Sequence, residues 1–473
     1  MRTLAEAVAA WGFDRYDAGW RRVERGGWTQ QALDTRWHGR RYVSLNAVVL
    51  SAQEADELQR LTRAFAALLP RAVDGLLDDP AWWPTLAWPR AALELARQEP
   101  RHRQPVATLY GRFDWLLDTT APATPWQLIE CNADTPSGGR ELAGLEPAIY
   151  RLHGSRASGF SRLGVGPGPR LARAFARELA AFRQERTGPH LVGVVSAHRW
   201  LEDMAQAHWL ANLLRARGLA TLVGDLRDLA VTGGRVLLRG QPIDALYRFY
   251  PIEAWYRHGL FAPIMDAVLD GRLLLLNGLR GFLAQSKAAL AWLWLHRHEL
   301  GAARPLVEAH LPAIVPAAQA QRSEDVVIKH VNGREGDAVA FGAELDASAW
   351  ERRLVEGGYV VQRRVLPQPV EDVEVDELAE RLVVVRPRYA CVGTFLVGAE
   401  FAGCYTRLGD AITSARSTFV PTWAESRPAA AEPAAAGWSS AWSLGHGPDS
   451  APRSALRHPR TRRATGRQSA GAG

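Results

Sequence analysis

Residues 110–138 read "YGRFDWLLDTTAPATPWQLIECNADTPSG", and the reading of this stretch decides the fold. Polar and apolar residues alternate in "ATLYGRFDWLLD" and "WQLIECNAD", the pattern of two strands. The segment between them, "DTTAPATP" (118–125), is rich in turn formers. On a strand, residues i and i+2 share a face, so Arg112 and Asp114 point one way, and Glu130 and Asn132 share a face of the second strand. A hairpin closed by 118–125 puts Asp114 opposite, or nearly opposite, Glu130, and Arg112 opposite Asn132. Two carboxylates facing each other repel unless something cationic lies between them. A hard divalent cation held by Asp114, Glu130 and the Asn132 amide oxygen suits this set, because Mg²⁺ takes few protein ligands and completes its shell with water and phosphate. A solvated polar face with an Arg112 salt bridge is the competing reading. Cys131 lies between Glu130 and Asn132, faces away from both, and reads as core. The loop after the second strand offers Asp134, Thr135 and Ser137 to a small polar ligand.

A second stretch, "VVIKHVNGREGDAV" (326–339), carries Lys329. The chain has 57 basic residues, and only two of them, Lys287 and Lys329, are lysines. A compact ammonium where every other basic residue is a guanidinium suggests a place that the wider fork would not fit. An apolar strand, a lysine and a glycine-rich turn together bring a point charge and backbone N–H groups to phosphate oxygens. Chance placement of two leftover lysines is the bland alternative.

Composition sets the frame. A chain of 473 residues, 47% hydrophobic and 23% charged, should fold as a globular protein with more than one lobe. The net charge is +7, but the segment 424–473 alone carries seven arginines against three acids. The rest is close to balance, too little for a basic nucleic-acid face. Cys131, Cys391 and Cys404 are widely spaced with no CxxC, which predicts reduced thiols. The N-terminus shows no continuous apolar run of a signal peptide, and no stretch is long and apolar enough to span a bilayer. A cytoplasmic protein is expected.

Along the chain, residues 1–105 read as mostly helical, with Ser51 as the N-cap of a long amphipathic helix. Residues 106–186 hold the hairpin and a helix from 169. Residues 187–276 read as a β-α-β unit of a parallel sheet, "HLVGVVSA" and "ATLVGD" flanking a helix, followed by a hairpin and further strands. A strand, a loop and a long helix carrying Lys287 come next, then mainly strands and glycine turns, making 277–423 one region. Residues 424–473 are Ala/Pro/Ser/Gly/Arg-rich, cannot bury enough surface to offset ordering entropy, and read as a disordered tail.

These segments together, "YGRFD…IECNADTPSG", "SKAALAWLW", "VIKHVNGREGDAV", "GYVVQRRVLPQPV" and "CYTRLGDAITSARSTFVP", resemble the synthetase domain of glutathionylspermidine synthase, a circularly permuted ATP-grasp family. The resemblance runs in order from about Tyr110 to Pro421. It implies that Asp114, Glu130 and Asn132 hold Mg²⁺ and that Arg112 faces the transferred phosphate. Lys287 and Lys329 would contact the α/β-phosphates, under a loop containing Gly333 and Gly336. Gln362 would line the adenine pocket, and Arg407 would lie near the reacting phosphate. Two positions depart from the family pattern: Ala338 stands where Asn is common, and Leu408 where an acid is common.

The resulting expectation is an α/β protein, a circularly permuted ATP-grasp unit beside a Rossmann-like pre-ATP-grasp lobe. It would join a small-molecule carboxylate and an amine at the expense of ATP, with Mg²⁺, through an acyl phosphate. Catalysis of this kind is mostly positioning and charge neutralisation. A non-catalytic ATP-binding scaffold is the rival reading, and nucleic-acid binding through the arginine-rich tail a weaker one.

Overall fold

The computed structural model describes residues 1–25, 36–37, 40–102, 106–163, 166–183, 190–334, 336–414 and 416–426. The hairpin forms with strands Tyr110–Leu117 and Trp126–Asn132, Arg112 opposite Asn132 and Asp114 opposite Glu130. Past that pair the register shifts, and Trp115 pairs with Leu128. Ile129 is therefore the extra residue of a bulge, a device that re-aims neighbouring side chains. Phe113 and Trp115 alternate to the opposite face and are fully buried in the main core with Cys131.

The hairpin ends a large mixed sheet, nine strands among the described residues. Tyr110–Leu117 pairs with the long strand Arg381–Val397, which pairs with Glu400–Gly409, then Thr418–Glu425, Val48–Leu50 and Arg2–Thr3. Trp126–Asn132 is the outer strand, so one of its edges is free to face something other than sheet. The 27-residue helix Ala52–Asp78 covers one face. It starts with the capping box that Ser51 announces: the Ser51 hydroxyl accepts from the Glu54 N–H, and the Glu54 carboxylate accepts from the Ser51 N–H.

Two smaller sheets flank it. One is parallel, with Leu274–Leu276, Ala245–Phe249, Leu191–Ser196 and Ala220–Asp225 in spatial order. The crossover helix Leu201–Arg215 lies in the sequence between the last two strands. The other is antiparallel, in the order Ile314–Pro316, Tyr359–Arg363, Val326–His330, Val339–Phe341. Met1–Ser426 packs as one compact unit.

Three details differ from the sequence reading. The helix expected to carry Lys287 is two helices, Leu279–Gln285 and Lys287–Leu295, separated at Ser286, whose side chain caps the second. A helix at Ala347–Glu356 interrupts the strands after 325; Asp346 caps it by accepting from Ala349 N–H, and Gly357 ends it at φ +74°. The final strand runs to Glu425, so Ala424 and Glu425 belong to the sheet, where Ala424 pairs with Leu50 and Ser161. The remainder of the expected tail, 427–473, lies outside the described residues.

Candidate active site

A cleft of about 780 Å³, open mouth included, lies between the outer strand of the large sheet and the small antiparallel sheet. Its walls are apolar, with Leu116, Val327, Phe341, Val365 and Ile412, and its polar groups are Glu130, Lys287, Lys329, Gln362, Arg363 and Arg407. Apolar walls with a few convergent polar groups are the usual make-up of a small-molecule site. A separate cleft, lined by Glu99, His102, Glu178 and Arg280, contains none of the expected site residues.

The hairpin supplies one pole of the cleft. Asp114 is fully buried, and three side chains converge on it. Arg112 donates from Nε to Oδ1 (2.7 Å) and from Nη2 to Oδ2 (3.0 Å). Arg407 Nη2 donates to Oδ2 at 2.7 Å, and Asn132 Nδ2 to the same oxygen at 3.0 Å. Burial alone would push the Asp114 carboxyl up; the charges of Arg112 and Arg407 outweigh it and hold the group below the usual carboxylate range. The cations that reconcile Asp114 with its acidic neighbour are thus protein side chains. Arg112 also donates to the Tyr405 hydroxyl and the Ser137 carbonyl, each at 3.0 Å. The sequence reading does not single out Tyr405, yet it sits two residues before Arg407 on one strand, the spacing that shares a face.

The lysines form the other pole. Lys287, first residue of its helix and almost fully buried, donates to Glu130 Oε1 (2.9 Å) and the Gly333 carbonyl (2.8 Å). Lys329 donates to Gln362 Oε1 at 2.6 Å and to the carbonyl of the bulge residue Ile129 at 3.3 Å. Val327 pairs with Gln362 across the small sheet, which makes Lys329 and Gln362 diagonal neighbours on one face. An ammonium has only protons to give, so the Gln362 amide must turn its oxygen to Lys329. Its Nε2 is buried with no partner among the described residues. Burial lowers the Lys329 ammonium to about 8, with Glu130 opposing the fall and Lys287 adding to it.

The glycine loop covers this pole. A side chain on Gly333 would meet the Asp337 carbonyl at 2.6 Å, and one on Gly336, at φ +79°, would meet the Thr413 carbonyl at 2.8 Å. Ala338 stands at φ +54°, the left-handed region that Asn tolerates better than Ala. Leu408 points away from Arg407 into the main core and is 1% exposed.

The hairpin loop is tied into the protein by its own partners. Asp134 is fully buried, holding Arg248 at Oδ1 and Arg334 (2.8 Å) and the Ile252 N–H (3.3 Å) at Oδ2. Thr135 accepts from Arg334 at 2.9 Å, and Ser137 contributes its carbonyl to Arg112. Sequence reading misses Arg334, Arg248 and Glu253, because their partners lie more than eighty residues away. The three cysteines are free and buried. Burial, with the Asp114 charge adding to it, pushes the Cys391 thiol up to about 11, which keeps it protonated.

With this geometry in place, a family model for glutathionylspermidine synthase preATP-grasp proteins matches residues 15–425. The chain belongs to that family. The family is one of ligases, and among the described residues no helix is long and apolar enough to cross a membrane. The fold is similar to that of a glutathione synthetase-like effector from Globodera pallida in its apo form. The TM-score is 0.58 at 9% identity, covering 87% of this chain and 96% of that one. A putative gamma-glutamylcysteine synthetase from Methylobacillus flagellatus KT aligns with a TM-score of 0.41 at 11% identity, over 79% of this chain and 89% of the other. No match was found among curated protein sequences.

Proposed function

We propose that the protein is an ATP-dependent carboxylate–amine ligase with a circularly permuted ATP-grasp core, in which the parallel sheet is the Rossmann-like pre-ATP-grasp lobe. The observation that carries this reading is the convergence of Arg407, Glu130, Lys287, Lys329 and Gln362 on one apolar-walled cleft, with Arg112, Asp114 and Asn132 joined to it through Arg407. A scaffold that merely held nucleotide would have no use for two buried arginines beside the lysines.

In this reading the substrate carboxylate attacks the γ-phosphate of ATP, giving an acyl phosphate and ADP. The amine then attacks the acyl carbon, an amide forms, and phosphate and a proton leave. Lys287 and Lys329 bind the α/β-phosphates, while Arg112 and Arg407 offset charge on the transferring phosphoryl group. The glycine loop keeps water from the acyl phosphate, and Gln362 faces the base.

Glu130 Oε2 and the Asn132 amide oxygen have no partner among the described residues, and Asp114 adds a second carboxylate whose Oδ1, accepting from Arg112 alone, keeps a lone pair for a cation. Two carboxylates and an amide fit a hard cation that keeps water and phosphate in its shell, so these three residues would hold Mg²⁺. When bound, it would neutralise phosphate charge. Among the described residues no group of three or more His, Cys, Asp and Glu is placed to hold a metal ion.

The family name makes a glutathione-like acid and a polyamine the first pair to screen. The test is ADP release with candidate acids and amines, followed by an isotopic oxygen label in the acid. Label appearing in the released phosphate supports the acyl phosphate. Amide formation without label transfer contradicts it.

A further inference from the structure

We propose that Arg334 is a positioning residue, a latch that docks the glycine loop on the hairpin loop and on the short helix Ile252–Trp255, and so sets the loop over the cleft through contacts within the protein alone. The inference rests on the ligase reading only in taking the cleft as the nucleotide site.

Arg334 lies between Gly333 and Gly336 and spends its guanidinium on three acceptors from two other parts of the chain. Nε and Nη2 donate to Glu253 (2.9 and 3.2 Å), Nη2 donates to Asp134 (2.8 Å), and Nη1 to Thr135 (2.9 Å). Asp134 is a fixed post, since the fully buried Arg248 at the end of a parallel strand grips its other oxygen. Glu253 is the adjustable arm, with 30% of its side chain exposed. The loop is itself a compact set of turns: Gly333 N–H donates to His330, Asp337 N–H to Arg334, and Val339 N–H to Gly336. One anchored side chain can therefore carry the whole turn. Beneath it, Lys287 donates to the Gly333 carbonyl, so the position of the loop and that of a site lysine are tied together. The planar fork serves all three acceptors at once from nitrogens held in fixed positions; a lysine offers a single nitrogen and loses that spread.

The test uses the full chain and two readouts. Deuterium uptake over residues 330–339 is followed without added nucleotide, and ATP dissociation is followed by stopped flow. Arg334→Met should speed loop uptake and ATP release at least tenfold, with the urea midpoint of the whole protein little changed. Glu253→Gln, which leaves Asp134 in place, should give roughly a threefold change, and Arg334→Lys should fall between the two. Unchanged loop uptake in Arg334→Met overturns the latch. Faster uptake with unaltered ATP release overturns its role in positioning the loop over the cleft. If the wild-type protein binds no ATP, the ligase reading fails, and the uptake measurement still decides the latch.

Discussion

The two poles of the cleft are built in different ways. At the arginine pole, Arg112, Asp114 and Asn132 stand on the paired strands of the hairpin and Arg407 on the next strand but one of the same sheet, across Arg381–Val397, so register sets where they stand. At the lysine pole, Lys287 comes from a helix start, Lys329 and Gln362 from a second sheet, Glu130 from the hairpin, and the cover from a loop latched by Arg334. The first pole is a preformed fixture buried in the main body. The second is assembled from separate pieces, with a partly exposed carboxylate and a lysine that titrates close to neutral pH. A phosphate-bearing ligand would have to displace little at the first and rearrange partners at the second. Positioning chemistry needs both: rigid charge where the reaction occurs and adjustable charge where the nucleotide enters.

The comparison can be broken most forcefully at Asp114. A repelling carboxylate pair would gain stability when one charge is removed. Here Asp114 is instead the carboxylate that both buried Arg112 and Arg407 are paired with. Asp114→Asn should therefore cost about 3–5 kcal/mol, as breaking a buried pair does, whereas Glu130→Gln, partly exposed, should cost about 1 kcal/mol or less. Urea denaturation of both variants checks this, and equal losses would erase the distinction between the poles.

The lysine pole should answer to pH. Lys329 titrates at about 8, below its ordinary value of 10.5. Affinity for ATP through its ammonium is present below 8 and is lost as pH rises through it, by up to about tenfold per unit. The stability sign is opposite: between about 8 and 10.5 the unfolded chain binds the extra proton, so stability rises with pH across that window. Affinity measured from pH 7 to 9.5 should show the fall, and Lys329→Met should abolish the step.

The smallest effect concerns the loop. Ala338 occupies the left-handed region, so Ala338→Gly should stabilise the protein by roughly 1 kcal/mol. A lower melting temperature in that variant would mean that the strain is not there.

The arginine pole is legible in the sequence because it obeys a local rule. Strand period and a turn-rich linker are enough to oppose Asp114 and Glu130, and the bulge at Ile129 shifts only the pairs nearer the turn. The lone lysines mark the second pole, but not what they touch. Their partners depend on how sheets pack, which period and propensity do not encode. The helix Ala347–Glu356 has its signal in plain view, an Asp cap before it and Gly357 after it, but the β-rich text around it overshadows that signal. The Arg334 clamp leaves no such trace: an arginine in a glycine turn reads as solvent-facing until Asp134 and Glu253 are brought beside it.

The most direct test of the whole account is a calorimetric titration of ATP with Mg²⁺ into the wild-type protein and into Lys329→Arg. The charge is kept, so a site that needs only a positive surface would not notice. If Lys329 reaches between phosphate oxygens beneath the glycine loop, where a guanidinium is too wide, the wild type binds and the variant binds at least tenfold more weakly, about 1.4 kcal/mol, with the fold intact. Equal affinities, or a wild-type protein that takes up no ATP, would contradict the account.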